Sequence, residues 1–497
     1  MSQYLASLAV FLQPLHIVII LCTSIIGIIF GAIPGLSAAV GIALLLPATF
    51  SMSTETAFVM LIAMYISGVS GSFIGATLIG IPGSSSSIAT TFDAFPMTNK
   101  GESARALTIG ILASFTGTFF SILIATFLSP VIAELALKLG PWEYFSLCFC
   151  AITLVASLSK GSMFRCLLGT SIGLLLGTVG LDVVTAQPRF TFGSANLMGG
   201  ISVISITLGV FACQQVSMSY ARGTQKLPEV KETNIGGLGI KLADFTNHIA
   251  TIVRAFLLGL WVGFLPGMGS GVSNLIAYAS CKSASKESEK WGEGYPGGIW
   301  ASETSNNASI GGAIIPMMAL GIPGDSITAM LLTGLIVHGL QPGPLLITNN
   351  PGIAYLIFSG VLVCSVIVLF LQLSCKKYFP LILKIPYHYL YSSILIICFI
   401  GAYGTSNSMF SLYTMLFFCV LGIIMNIAKI PTSPMILAFI LGKDLERYFR
   451  RGVNYSDGDL TEFFTRPISL ILILIGVGSI LIPFIKKKIN QSKVNKI

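Results

Sequence analysis

Charged residues are missing from long reaches of this chain. None of residues 1–54 is Asp, Glu, Lys or Arg, and the same holds for 56–92, 106–133, 144–159, 166–181, 190–221, 255–281, 326–375, 385–428 and 467–485. Continuous apolar runs fill these reaches without the alternation of barrel strands, so they predict helices. A helix needs about 20 apolar residues to cross a bilayer. The stretches 326–375 and 385–428 must then hold two crossings each, and the whole chain roughly eleven to thirteen. The expected fold class is all-α, a polytopic integral membrane protein. Charges cluster between the runs: at 218–248 (Arg222, Lys226, Glu229, Lys231, Glu232, Lys241, Asp244), at 281–303, at 443–466, and in a basic tail with Lys486, Lys487, Lys488, Lys493 and Lys496.

Composition agrees. Of 497 residues 54% are apolar and 9% charged, and mean hydropathy is +0.87. A soluble domain carries roughly a quarter of its residues charged, so soluble enzymes, disordered tails, collagens and disulfide scaffolds are excluded. The net charge of +9 sits in short loops and the tail, where Lys and Arg meet anionic lipid headgroups; it does not point to nucleic acid. The ten cysteines form no Cys-x-x-Cys pair, so no metal site is expected. No Lys or Arg precedes the first apolar run, so no cleavable signal is expected.

An internal repeat organises the chain. Gly27, Gly31, Pro34 and Gly35 recur at the same spacing as Gly259, Gly263, Pro266 and Gly267. Gly80-Ile81-Pro82-Gly83 recurs as Gly321-Ile322-Pro323-Gly324, and Ser162-Met163-Phe164 as Ser408-Met409-Phe410. The expected organisation is a first repeat over 1–225, a polar linker over 226–248, a second repeat over 249–442, then a polar loop, a final transmembrane helix and the basic tail over 443–497. Two such copies, expected to be inverted, fit a secondary transporter.

Each copy breaks an apolar run twice with Pro-Gly. Proline removes a donor and clashes with the preceding turn. Broken backbone at membrane depth is tolerated only under protein or in a wet cavity, and matched breaks in two halves point to a substrate site. Helix N-termini at such breaks suit an anion. The expected substrate-binding residues are therefore Pro34, Gly35, Gly83, Ser84, Ser85, Ser86, Gly267, Gly269, Asn306, Asn307, Gly324, Ser326 and Thr328. Asp325, with Ser87 and Ser270, is expected to take a coupling cation or proton, because a carboxylate inside an apolar stretch is costly. Capping of the following helix is the other use for Asp325. Glu303, Asn306 and Asn307 either line the entrance of the broken helix or cap its start. No Lys or Arg lies in these motifs, so a bound carboxylate needs a co-bound Na⁺ or proton to offset its charge.

Three blocks resemble the large membrane subunit of the tripartite tricarboxylate transporters. They are Gly31-Ala32-Ile33-Pro34-Gly35-Leu36 into Ala43–Pro47; Gly80–Gly83 through Ala89-Thr90-Thr91-Phe92-Asp93, with Pro96 and Gly101 to Leu107; and Glu303-x-x-Asn306-Asn307 through Gly311-Gly312-Ala313 and Leu320–Gly324 to His338-Gly339-Leu340-Gln341-Pro342-Gly343-Pro344. The resemblance implies a permease of the bacterial cytoplasmic (inner) membrane. It implies two partners, a small four-span membrane subunit and a periplasmic solute-binding protein that delivers a carboxylate such as citrate. It implies ion-driven uptake with no cofactor and no ATP. The chain departs from the family pattern at Ser37, at Ser84–Ser86, at Ser302 and at Asp325. A passive channel and an intramembrane hydrolase are the alternatives. The hydrolase lacks a His-Glu-x-x-His or paired-aspartate motif.

Overall fold

The computed structural model describes residues 2–158, 162–182, 184–221, 235–404 and 406–494. Arg222, Lys226, Glu229, Lys231, Glu232 and Lys496, named above, lie outside the described residues, as do the side chains of Lys486–Lys488 and Lys493. In chain order the helices begin with α1 (Ser2–Phe11), α2 (Pro14–Ala32), α3 (Ala38–Thr49), α4 (Thr54–Gly71), α5 (Phe73–Ile79), α6 (Thr91–Asn99), α7 (Ser103–Ala136), α8 (Pro141–Leu158), α9 (Met163–Gly177), α10 (Val203–Thr207) and α11 (Gln214–Ala221). Next come α12 (Leu242–Thr246), α13 (Ile249–Phe264), α14 (Gly269–Ala284), α15 (Pro296–Leu320), α16 (Ser326–Val337), α17 (Pro344–Asn349), α18 (Pro351–Cys375) and α19 (Phe379–Ile382). The chain ends with α20 (Tyr387–Gly404), α21 (Met409–Ile427), α22 (Thr432–Tyr455), α23 (Glu462–Thr465) and α24 (Pro467–Val494). Among the described residues the strands amount to one short antiparallel pair, Gly180–Leu181 against Pro188–Arg189.

Six helices are long and apolar enough to cross a bilayer, and seven shorter apolar helices accompany them among the described residues. The protein is thus an all-α, multi-pass membrane protein. One long helix escapes a hydropathy test: α15 carries Glu303, Asn306 and Asn307, yet every residue from Gly297 to Ala319 is buried. Polar groups at membrane depth turn toward the protein interior, and here a whole helix is wrapped by its neighbours.

The repeat is visible in the backbone. Ile33 ends α2 at φ −82°, ψ 120°, and Leu265 ends α13 at φ −81°, ψ 120°. Gly80 ends α5 at φ 69°, ψ 12°, and Gly321 ends α15 at φ 74°, ψ 17°. These left-handed positions need glycine because a Cβ would crowd the carbonyl. Ser162 and Ser408 precede α9 and α21 at the matching Ser-Met-Phe.

Packing divides the chain differently from chain order. One compact unit is Met1–Ala133 with Phe211–Asn407, the other Glu134–Val210 with Ser408–Ile497. Each unit takes part of both copies. The first is built on α15. A Cβ added to Gly259, Gly263 or Gly117 would stand 2.4, 2.3 and 2.4 Å from the carbonyl oxygens of Ser305, Ser309 and Thr304. Small residues at these places let backbones touch, the usual means of packing helices in lipid.

In the second unit, α8, α9, α22 and α24 pack together. A polar loop after α9 is pinned by Asp182, whose Oδ1 accepts from the N–H groups of Val184 (2.9 Å) and Thr185 (2.7 Å). Arg189 and Arg450 both lie 3.2 Å from Oδ2. The backbone donors of Thr185 and Val184, aided by Arg189, hold this carboxyl down from 3.8 to about 2. Because the folded value lies below the unfolded one, the stabilisation is present above pH ~4 and is lost as pH falls toward 2. Amide protection at Val184 and Thr185, followed by hydrogen exchange, is expected to hold from neutrality to pH ~4 and then collapse. Asp182→Asn is expected to remove that step; an unchanged step in the variant refutes the assignment.

Candidate substrate and ion site

Within each copy the second Pro-Gly break lies against the helix that leads into the first break, α2 in one copy and α13 in the other. A Cβ on Gly83 would sit 1.8 Å from the Gly31 carbonyl oxygen, and one on Gly324 would sit 2.7 Å from the Gly263 carbonyl oxygen. Gly83 N–H donates to the Ser72 carbonyl at 3.1 Å, and Gly267 N–H to the Gly324 carbonyl at 2.7 Å. The closely approaching pairs are repeat equivalents, Gly31 with Gly263 and Gly83 with Gly324, whereas the two hydrogen bonds join different positions. The repeated sequence therefore builds the same junction twice. Freed backbone groups find partners inside the junction, as a lipid environment demands.

Asn274 on α14 joins the copies. Its Oδ1 accepts from Ala89 N–H at 3.1 Å, and its Nδ2 lies 3.1 Å from the Ser85 carbonyl, 2.9 Å from that of Ser270 and 3.1 Å from that of Gly271. The serine segment after Pro82-Gly83 thus lies on the start of α14. Ser72 Oγ is 2.9 Å from Ser86 Oγ and 2.6 Å from Ser87 Oγ, and Ser84 Oγ is 2.6 Å from Ser86 Oγ. These contacts place Gly83, Ser84, Ser85, Ser86, Ser87, Ser270 and the Gly267–Gly269 turn in one neighbourhood. Gly269 also approaches Asp325: a Cβ there would be 3.0 Å from Asp325 Cβ.

Behind the serines stands Glu303. It is 0% exposed. The Thr90 hydroxyl donates to Oε1 in a very short bond and lies 2.9 Å from Ser302 Oγ. Ser114 Oγ (3.4 Å) and Asn306 Nδ2 (3.2 Å) reach Oε2. None of the ion pairs among the described residues includes Glu303. Asn307 Oδ1 accepts from Ser70 Oγ at 3.0 Å and Thr118 Oγ1 at 3.3 Å, while its Nδ2 donates to the Glu303 carbonyl at 3.0 Å. Asn306 Oδ1 is buried with no hydrogen-bond partner.

The geometry changes several expectations. Glu303, Asn306 and Asn307 neither cap α15 nor stand at its entrance: the helix begins at Pro296 and all three are fully buried. Asp325 caps α16. Its Oδ1 accepts from Thr328 N–H at 2.8 Å and from Thr328 Oγ1 at 2.7 Å, and Thr328 Oγ1 accepts from Asp325 N–H at 2.9 Å. Thr328 is likewise engaged, and Ser326, partly buried, opens the helix. The Pro34-Gly35 break faces other residues: the Gly35 carbonyl accepts from Gln215 Nε2 at 3.0 Å, and Ser219 and Tyr391 border its Cα. Sequence reasoning named neither Gln215 nor the hydroxyls of Ser70, Ser72, Ser114 and Thr118. The available signal was their presence as small polar residues on otherwise apolar helices.

Residues 17–437 match the Tripartite tricarboxylate transporter TctA family. The chain belongs to that family. It is therefore a transporter protein of the membrane, not an enzyme. It is similar to the "Uncharacterized 52.8 kDa protein in TAR-I ttuC' 3'region" of Agrobacterium vitis, 32% identical over 96% of this chain and 95% of that one. It is also similar to the "Uncharacterized protein in TAR-II ttuC' 3'region" of the same organism, 31% identical over 47% of this chain and 98% of that one. No solved structure matches the chain.

Proposed function

We propose that this member of the family is the permease subunit of a binding-protein-dependent secondary transporter. It takes up a tricarboxylate or dicarboxylate, driven by a Na⁺ or proton gradient, across the bacterial cytoplasmic (inner) membrane. Its partners are a small four-span membrane subunit and a periplasmic solute-binding protein. The observation that carries the reading is the pair of equivalent junctions, Gly31–Gly83 and Gly263–Gly324, with a serine-rich segment running between them and a buried carboxylate behind. Hydroxyls and helix N-termini hold a carboxylate by donating hydrogen bonds, without a guanidinium. An anion held so at low dielectric favours a co-bound cation. Inverted copies rocking around a fixed site supply alternating access in this reading.

Reconstitution tests it. Proteoliposomes holding the chain and its small partner, with the binding protein outside, are expected to accumulate a labelled carboxylate from a panel that includes citrate. Accumulation should require an inward Na⁺ or pH gradient and the binding protein. Equilibration that ignores both gradients would mark a passive channel instead.

A further inference from the structure

A small cavity lies beside Glu303 among α4, α7 and α18. Ser70, Ser114, Thr118, Ser365 and Gln372 give it polar walls, and Ile66, Ile111, Phe115, Val368 and Leu369 complete it; its volume of about 10 Å³ has room for one body of water size. The hydrogens of its four hydroxyls are committed elsewhere. Ser70 and Thr118 donate to Asn307 Oδ1, Ser114 to Glu303 Oε2 and Ser365 to the Leu362 carbonyl. Gln372 Nε2 donates to the Ser70 carbonyl at 3.0 Å. What the hydroxyl oxygens have left to offer is lone pairs. A wall of oxygen acceptors suits a hard cation.

Charge points the same way. Glu303 is fully buried and has hydroxyl and amide neighbours but no ion-pair partner among the described residues. A buried carboxylate without a counter-charge is costly. Ser114 touches Glu303 and also lines the cavity, so a cation in the cavity is one side chain away from the carboxylate. Asn306, whose Nδ2 donates to Glu303 Oε2, leaves its Oδ1 buried and without a partner on the same helix.

We propose that the cavity bounded by Ser70, Ser114, Thr118, Ser365 and Gln372 binds one unhydrated Na⁺, with Glu303 as its counter-charge. The site differs from Asp325, whose carboxylate is engaged in capping α16. That this Na⁺ is the coupling ion rests on the transport reading above; its binding does not.

Equilibrium binding of ²²Na⁺ to the purified full-length chain, at fixed pH with no carboxylate present, tests the proposal. Saturable binding is expected, with Glu303→Gln and Ser114→Ala each weakening it by about tenfold or more, since affinity follows ligand charge and number. Should Glu303→Gln fail to fold, Thr118→Val and Ser365→Ala are expected to weaken binding in the same direction. Absence of saturable binding in the wild type overturns the proposal, as does binding unaltered in all the variants that fold. Carboxylate uptake by the same preparation separates the two ideas. Uptake driven by a pH gradient without ²²Na⁺ binding removes the site and leaves transport standing. Binding without uptake of any carboxylate does the reverse.

Discussion

Replacing Asp93 with alanine is expected to destabilise the protein more than any other single loss of a polar side chain. Asp93 follows the serine segment at the start of α6 and is 0% exposed. Its Oδ1 accepts three backbone N–H groups, from Gly292 at 2.9 Å, Gly294 at 3.0 Å and Tyr295 at 2.7 Å. Its Oδ2 accepts from the Tyr278 hydroxyl at 2.8 Å. One carboxylate from the first copy thus organises the loop that leads into α15 in the second. Alanine leaves four donors without their acceptor, each costing about 1–3 kcal/mol if it stays dry. Water reaching the loop relieves part of this, so a net loss of roughly 3–5 kcal/mol is expected. An asparagine side chain keeps one carbonyl oxygen for the backbone donors, so Asp93→Asn is expected to cost about half as much as alanine. Thermal unfolding in detergent checks both, with exposed Glu289→Ala as the reference. A midpoint for Asp93→Ala equal to that of the reference would show that the loop holds itself.

Asp93 also shows where sequence reading stops. The apolar runs gave the membrane class and the helical fold because bilayer thickness imposes a length that a single sequence displays. The four Pro-Gly breaks were legible for a related reason: each is a local backbone event, and duplication printed it twice. Asp325 and Thr328 are three residues apart, so the capping bond was legible as one of two uses for Asp325. The contacts of Glu303 were not. Thr90 is 213 positions away and Ser114 189, and no local rule says which hydroxyls packing will bring to a carboxylate. The same holds for Asn307, whose partners Ser70 and Thr118 lie 237 and 189 positions off. Hydropathy was misleading for α15, since its polar residues read as a loop edge while the fold buries them. Asn274 stood among the small polar residues after Pro266-Gly267, but its bond to the first copy's serine segment belongs to the assembled structure.

Gly83→Ala is expected to lower uptake by at least about tenfold while leaving the membrane spans inserted. The added Cβ would lie 1.8 Å from the Gly31 carbonyl oxygen and 3.2 Å from that of Ser72. Both obstacles are backbone, so no side chain can rotate away. The end of α5 and the face of α2 must separate, at a cost of about 1–3 kcal/mol or more. Separation also moves the segment Ser84–Ser87, whose Ser86 and Ser87 hydroxyls reach Ser72. Binding geometry tolerates shifts of only about 0.5 Å, so uptake is expected to fall by at least about tenfold. Gly324→Ala is the internal comparison. There the Cβ meets Ala313 and the Gly263 carbonyl oxygen at 2.7 Å, a smaller intrusion against the equivalent junction. It is expected to lower both the unfolding midpoint and uptake, but less than Gly83→Ala. Measuring the two variants side by side for unfolding and for uptake separates packing from function. If both unfold like the wild type and transport at its rate, the junctions yield easily and do not hold the site. If both lose uptake in the order of their intrusion, the serine segment owes its position to the contact at the junctions.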